Sequence, residues 1–159
     1  MGTIIRDIDR LKKIIEGERA KGKRIVFGNG CFDIIHVGHI RYLRGAKELG
    51  DCLIVAINDD VSVTGLGKRK KVITPVEERA EIISAIDCVD YIIIFSEPTV
   101  ERLLMELKPD IHAKGTDYTE DSVPEKHIVL SYGGRVAIVG DPKNHSTRDI
   151  IKTIQDMED

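Results

Sequence analysis

The stretch from Ile25 to Leu49, IVFGNGCFDIIHVGHIRYLRGAKEL, limits the possible folds more than any other. Residues 24–27 read as a short buried strand. Gly28, Asn29 and Gly30 form a breaker cluster, which predicts a turn there. From His39 onward, Ile40, Leu43, Ala46 and Leu49 recur at helical spacing, with Arg41, Arg44, Lys47 and Glu48 between them. Between strand and helix lie Cys31, Phe32, Asp33, His36, Gly38 and His39. A strand, a glycine turn and a helix start present unpaired backbone N–H groups and the positive end of the helix dipole. That predicts an anion seat, best filled by a phosphate, with two imidazoles three residues apart at its sides. Gly38 removes a side chain where a ligand would come close. The plainer alternative is two histidines that cap a helix. A zinc pair would need further ligands at suitable spacing, and none stands out.

A chain of 159 residues predicts one domain, 1–159, with a full core. With 42% hydrophobic and 32% charged residues it reads as soluble and globular. The net charge of -3 gives no general attraction to nucleic acid. No apolar run approaches the ~20 residues that span a bilayer, and no apolar leader follows Met1, so a cytoplasmic protein without membrane contact is expected. Cys31, Cys52 and Cys88 lack C-x-x-C spacing and read as reduced thiols. Cys31 is expected to be a small loop residue rather than a nucleophile.

Along the chain, Ile5, Ile8, Leu11, Ile14 and Ile15 carry a helical stripe, so residues 1–22 are expected to form a helix packed on the domain's edge. Residues 52–57 form an unbroken apolar run, as a central parallel strand does. The run stops at Asn58, Asp59 and Asp60, at the sheet edge where open α/β folds bind ligands. Residues 63–71 read as a glycine-broken basic loop with Lys68, Arg69, Lys70 and Lys71. Nuclear targeting, nucleic-acid contact and a solvated loop are all open to such a run; a clamp over phosphates is favoured by its place beside the phosphate seat. Thr74, Pro75 and Glu77 predict a capped helix start, with Arg79 either a surface charge or an acceptor-phosphate ligand. Strands are expected at 89–95, 111–113 and 135–139, and helices at 98–107 and 120–130. Ser146 or Thr147 would cap a last helix. Five strands alternating with helices predict an α/β, Rossmann-like three-layer sandwich with a five-stranded parallel sheet. Asp33 stands where a G-x-G-x-x-G fingerprint needs a third small residue, which disfavours hydride transfer.

His36, Val37, Gly38 and His39 match the HxGH motif of the nucleotidyltransferases, and Gly30, Cys31, Phe32 and Asp33 match the G-x-F-D box before it. The likeness runs on through Leu49-Gly50-Asp51, residues 55–58, residues 75–79, Lys114-Gly115 with Asp117-Tyr118, residues 132–135 and Ser146-Thr147. Over almost its whole length the chain resembles the D-glycero-β-D-manno-heptose 1-phosphate adenylyltransferase domain, which makes ADP-heptose for bacterial lipopolysaccharide. That domain is often fused to a sugar kinase, so a stand-alone form is expected here. In fold it is similar to glycerol-3-phosphate cytidylyltransferase. The flexible loop and Arg148 depart from the family's pattern.

The resemblance implies transfer of AMP from ATP to a sugar 1-phosphate, with Mg2+ travelling on the triphosphate and no metal held by side chains. His36 and His39 would grip the triphosphate, and a lysine, Lys68 or Lys71, would neutralise it. Gly30, Cys31, Phe32 and Gly38 would line the phosphate seat. Lys114, Gly115 and Asp117 would border base and ribose, and Ser146 and Thr147 the β- and γ-phosphates. Asp33, Asp60 and Arg79 are the acceptor-side candidates. A homodimer is expected. The competing readings are a cytidylyltransferase that uses CTP and an alcohol phosphate, a nucleotide-sensing scaffold without turnover, and nucleic-acid binding, which lacks an aromatic platform.

Overall fold

The computed structural model describes residues 1–67, 70–142 and 145–158. Its elements are β1 (Thr3–Ile5), α1 (Ile8–Ala20), β2 (Ile25–Gly30), α2 (Val37–Glu48), β3 (Cys52–Asn58), α3 (Asp60–Gly65), α4 (Val76–Ser84), β4 (Tyr91–Phe95), α5 (Glu101–Leu107), β5 (Ile111–Lys114), α6 (Lys126–Ser131), β6 (Arg135–Ile138) and α7 (Thr147–Asp156). The strands form one sheet in the order β1-β4-β3-β2-β5-β6, and every pair is parallel. All seven residues of β3 are buried, as its apolar run requires of a strand covered on both faces.

Side chains alternate along a strand, so β3 feeds two cores. Ile54 and Ala56 face the layer built by Leu11 and Ile15 of α1 and Leu103, Leu104 and Leu107 of α5. Leu53, Val55 and Ile57 face the layer of α2 and α4, with Leu43, Ala46, Ala80 and Ile83. Going from β2 to β3 and β4, the chain steps outward along one half of the sheet. It then returns to place β5 on the other flank of β2. This reversal opens a crevice beyond the carboxyl ends of β2 and β5, where doubly wound sheets bind ligands.

The sheet has six strands where five were expected. Thr3, Ile4 and Ile5 pair with Tyr91, Ile92 and Ile93 at the sheet's edge. Ile5 is therefore a strand residue, and α1 begins after Asp7, whose carboxylate accepts from the Asp9 N–H at 2.9 Å. Three residues are too few to show a period of two, so the following helical stripe absorbed Ile5. Residues 1–22 are thus a strand and a helix. Gly28–Gly30 does not turn but extends β2, pairing with residues 55–57 of β3. Residues 63–65, expected as the start of the basic loop, instead end a short helix, Asp60–Gly65. Of the helix expected over 120–130 only Lys126–Ser131 forms, and α5 begins at Glu101, later than expected. Pro75, not Thr74, precedes α4, and it makes no side-chain cap bond; the Val76 N–H is met instead by Asp60 Oδ1 at 3.0 Å.

Gly28 is demanded by a close approach. A Cβ there would lie 2.6 Å from the Tyr42 hydroxyl oxygen, and that hydroxyl donates to the Ala113 carbonyl at 2.7 Å, tying α2 to β5. Gly28→Ala is expected to lower stability in urea unfolding by about 1–3 kcal/mol. Combined with Tyr42→Phe, which removes the clashing oxygen, it should cost less than the two single changes added together. Strict additivity would refute the contact.

Candidate active site

The segment between β2 and α2 takes a backbone path that its side chains resist. Phe32 and Ile34 have φ of 52° and 62°, a region that costs non-glycine residues of order 1–3 kcal/mol. Anchors on three sides hold it there. The Phe32 ring packs over Gly30, where a Cβ would come within 3.0 Å of it, and lies 5.3 Å from the His39 ring. Asp33, itself buried, accepts from the Ile73 and Thr74 N–H groups at 2.9 Å each. From α7, the Thr147 hydroxyl donates to the Asp33 carbonyl at 3.0 Å.

His36 is the N-cap of α2 in extended geometry. Its Nδ1 accepts from the Gly38 N–H at 3.1 Å, and His39 Nδ1 accepts from the His36 N–H at 3.2 Å. The two rings stack with centroids 3.9 Å apart. A neutral imidazole that accepts at Nδ1 carries its proton on Nε2. Burial lowers the pKa of both rings, that of His39 to about 4, and the neighbouring imidazole of each adds to the effect: His145 for His36, and His36 for His39. At neutral pH each therefore offers one uncharged Nε2–H donor. Helix capping and ligand binding, alternatives on sequence grounds, use opposite nitrogens of the same rings. Gly38 has a different reason from the one expected: a Cβ there would meet His36 Cε1 at 2.8 Å, so the glycine admits the imidazole.

Both histidines line a cleft of about 770 Å³ over the crevice. Gly30, Cys31, Phe32, Asp33 and Gly38 join them from the β2–α2 segment. Lys114, Gly115 and Asp117 reach it from the end of β5, with the Lys114 ammonium 4.6 Å over the Tyr118 ring. Ser146 and Thr147 reach it from the start of α7. The Ser146 hydroxyl accepts from the Asp149 N–H at 3.1 Å as an N-cap, so its own proton can be given to a ligand. The Thr147 proton is already committed to the 33–34 carbonyls. His145, which sequence reasoning passed over, also lines the cleft; its place beside Ser146 was the available signal. Asn58 lines it too, at the strand end where a ligand edge was expected, as does Tyr42, which nothing in local pattern marks.

Arg79 lies behind this wall, and Asp60, its ion-pair partner, is 40% exposed but does not line the cleft. Arg79 is 0% exposed. Its Nε donates to the Thr74 carbonyl at 2.8 Å, Nη1 to the Cys31 and Asn58 carbonyls at 2.6 and 2.8 Å, and Nη2 to Asp60 Oδ1 at 2.6 Å. It is neither a surface charge nor open to an acceptor phosphate. Val76, Arg79, Ala80 and Ile83 share one helical stripe, which was the signal that Arg79 points inward. Asp33 is at the cleft, with its carboxylate engaged by the 73–74 backbone. Lys71 is exposed, and Lys68 lies outside the described residues.

Residues 27–157 match the cytidylyltransferase-like family model. Bifunctional protein HldE of Geobacter metallireducens is 49% identical over 150 residues, which are 94% of this chain and 31% of that protein. Bifunctional protein HldE of Pelobacter propionicus is 47% identical over the same shares. The chain thus spans about a third of the length of the curated relatives it matches. Among solved structures, the lipopolysaccharide core biosynthesis protein of Thermoplasma volcanium is 31% identical with a TM-score of 0.67, covering 77% of this chain and 100% of that one. Pantoate-beta-alanine ligase of Francisella tularensis, at 16% identity and a TM-score of 0.61, covers 100% of this chain and 79% of that one and shares the fold.

Arg79→Met is expected to destabilise the protein by about 3–5 kcal/mol in chemical unfolding, because it leaves three enclosed carbonyls without their donor; a loss under 1 kcal/mol would contradict the hub. The His39 imidazole should titrate near 4 by NMR. Since its folded pKa is depressed, its share of stability is whole above pH 6.5 and drains as pH falls from 6.5 to about 4, where the unfolded chain binds the proton and the folded one does not. Titration between 6 and 7 would show that the ring is not held as described.

Proposed function

Because the chain belongs to the cytidylyltransferase-like family, we propose that it is a nucleotidyltransferase that moves AMP from ATP to D-glycero-β-D-manno-heptose 1-phosphate, giving ADP-heptose and pyrophosphate. The carrying observation is the pair of neutral Nε2–H donors, locked by backbone bonds at Nδ1, at the mouth of a cleft that also receives Ser146. The choice of sugar rests on the whole-chain resemblance and on similarity to HldE proteins and to a lipopolysaccharide core biosynthesis protein.

An oxygen of the sugar phosphate attacks the α-phosphorus, and pyrophosphate leaves on the opposite side. A phosphate monoester with a second pKa of about 6 is largely dianionic at neutral pH, so the nucleophile needs no base. Neutral histidines suit such a reaction, since they give hydrogen bonds and have no proton to take. His39 donates to the α-phosphate as charge builds on its oxygens, and His36 holds the neighbouring phosphates. The Phe32 backbone N–H adds a donor, and Ser146 grips the terminal phosphates. Thr147 serves this seat by fixing the 33–34 carbonyls. A lysine of the 68–71 run closes over the triphosphate. Its segment is anchored to the seat through Asp33, which binds the N–H groups of Ile73 and Thr74. Arg79 and Asp60 support this frame and do not touch the acceptor.

Among the described residues no cluster of three or more His, Cys, Asp or Glu could hold a metal. We place Mg2+ on the triphosphate, held by phosphate oxygens and water, where it would neutralise charge. Among the described residues no helix is long and apolar enough to cross a membrane; we place the enzyme in the cytoplasm, beside its ATP, as a homodimer. A glycerol-3-phosphate cytidylyltransferase would share every feature of the phosphate seat, and nucleotide choice separates the two.

The test is a pyrophosphate-release screen of each nucleoside triphosphate against sugar and polyol phosphates. ATP with the heptose 1-phosphate should turn over fastest; preference for CTP with an alcohol phosphate would replace this assignment. His39→Ala should lower turnover by roughly 10²-fold or more with the fold intact, the scale of losing one transition-state donor. Rates near those of the unaltered enzyme would remove His39 from the reaction.

A further inference from the structure

Glu125 stands in the cleft wall apart from the phosphate-binding groups. Its neighbours in the chain, Val123 and Val129, belong to the core layer of α1 and α5, whereas α2 belongs to the other layer. The carboxylate thus meets the cleft from the opposite side of the sheet to the two histidines. Its side chain keeps 11% exposure, and its Oε2 is shut off from solvent with no hydrogen-bond partner among the described residues. Behind it on β5 lies His112, 0% exposed, with its ring 5.6 Å from that of Phe27. His112 Nε2 is 3.7 Å from Glu125 Oε2, too far for a hydrogen bond. Neither nitrogen of that ring finds a hydrogen-bond partner among the described residues.

Two polar groups with unmet bonding capacity at the edge of a core are poor packing material, since apolar side chains of the same size would be more stable there. The part of the Glu125 side chain that stays exposed faces the cleft, where a ligand can meet the carboxylate. Burial pushes the Glu125 carboxyl up, but His112 and Lys114 beside it outweigh that and hold it below its usual value. It is therefore an ionised acceptor. Phosphate oxygens would be repelled, and a cation has a competitor in Lys114. The fitting partner is an uncharged hydroxyl.

We propose that Glu125 is a hydroxyl-reading residue: its carboxylate accepts a hydrogen bond from a hydroxyl of the bound sugar phosphate or of the nucleotide's ribose, and His112, packed behind it, is the positioning residue. This rests on the nucleotidyltransferase reading above and adds a specificity determinant to it. A site built around a hydroxyl discriminates sharply against the analogue that lacks it, because the acceptor is then left unpaired.

The test is steady-state pyrophosphate release by the full chain, with ATP and the sugar phosphate varied separately. Glu125→Gln keeps the shape and loses the charge. It should raise the KM of one substrate about tenfold, with the other KM and kcat within about twofold. Which KM moves identifies the source of the hydroxyl. His112→Phe, which keeps an aromatic ring against Phe27, should raise the same KM about threefold. Deoxy forms of that substrate should be poorer than the parent for the unaltered enzyme, but no poorer for Glu125→Gln. Unchanged KM values in both variants, a fall confined to kcat, or undiminished discrimination against deoxy substrates would overturn the proposal and leave the nucleotidyltransferase reading standing. Unaltered enzyme that releases no pyrophosphate with any pair of substrates would remove both.

Discussion

The cleft depends on one buried guanidinium. A guanidinium holds its donors in a rigid plane, so its partners must be placed together or not at all. Those of Arg79 come from four places: the Cys31 carbonyl in the phosphate loop, the Asn58 carbonyl at the end of β3, the Thr74 carbonyl before α4, and Asp60 at the start of α3. Lysine, with its donors on one atom, could not span them. Asp60 has a second duty, since the same Oδ1 meets the first free N–H of α4. The positive charge is thus kept in the interior by an ion pair and by carbonyl dipoles, and the floor of the site inherits its geometry from that bond set.

The histidines show how a local folding rule can prepare a chemical group. An N-cap must accept from early backbone N–H groups of the helix, and imidazole Nδ1 does this as a serine oxygen would. Unlike serine, the imidazole has a second nitrogen on its far side. Using Nδ1 for the cap fixes the tautomer and the ring plane together. Burial, with His145 beside His36 and His36 beside His39, then discourages either from holding a charge. A triphosphate bound as proposed would oppose that depression with its negative charge, so the same pair could follow the ligand's charge without moving.

Much of this was legible because it is local. The unbroken run of β3, the spacing of His36 and His39, and the Ser146 cap are each written within a few consecutive residues, and each is found in place. What escaped is long-range. β1 is three residues whose strand pairing is to β4, nearly ninety residues away. The cap of α4 comes from Asp60 across a turn of chain, so the Thr74 and Glu77 signature was present but unused; Glu77 pairs with Arg6. Gly28 looks like a turn residue until the Tyr42 hydroxyl is seen to need its space. Arg79 was misplaced for a different reason. Its position on the apolar stripe was visible, but charge outweighed periodicity in the reading, and only the four acceptors explain how a core could admit it.

The proposed reaction, needing no base, would draw its rate from alignment, and alignment has to be present before the substrates bind. The 31–36 segment meets this demand through Asp33, whose two functional groups face different ways. Its carboxylate binds the backbone just beyond the lysine run, and its carbonyl receives the hydroxyl that opens α7. The segments that would meet the triphosphate are therefore fastened to one another and not only to the sheet. The unfavourable φ angles at Phe32 and Ile34 are the local expense of holding that junction. An aspartate can sit at the heart of an anion site without repelling the anion because its charge is met by two N–H groups before any ligand comes. In the same cleft Glu125 Oε2 has no hydrogen-bond partner among the described residues, and under the proposal above the two carboxylates, alike in composition, divide between frame and recognition.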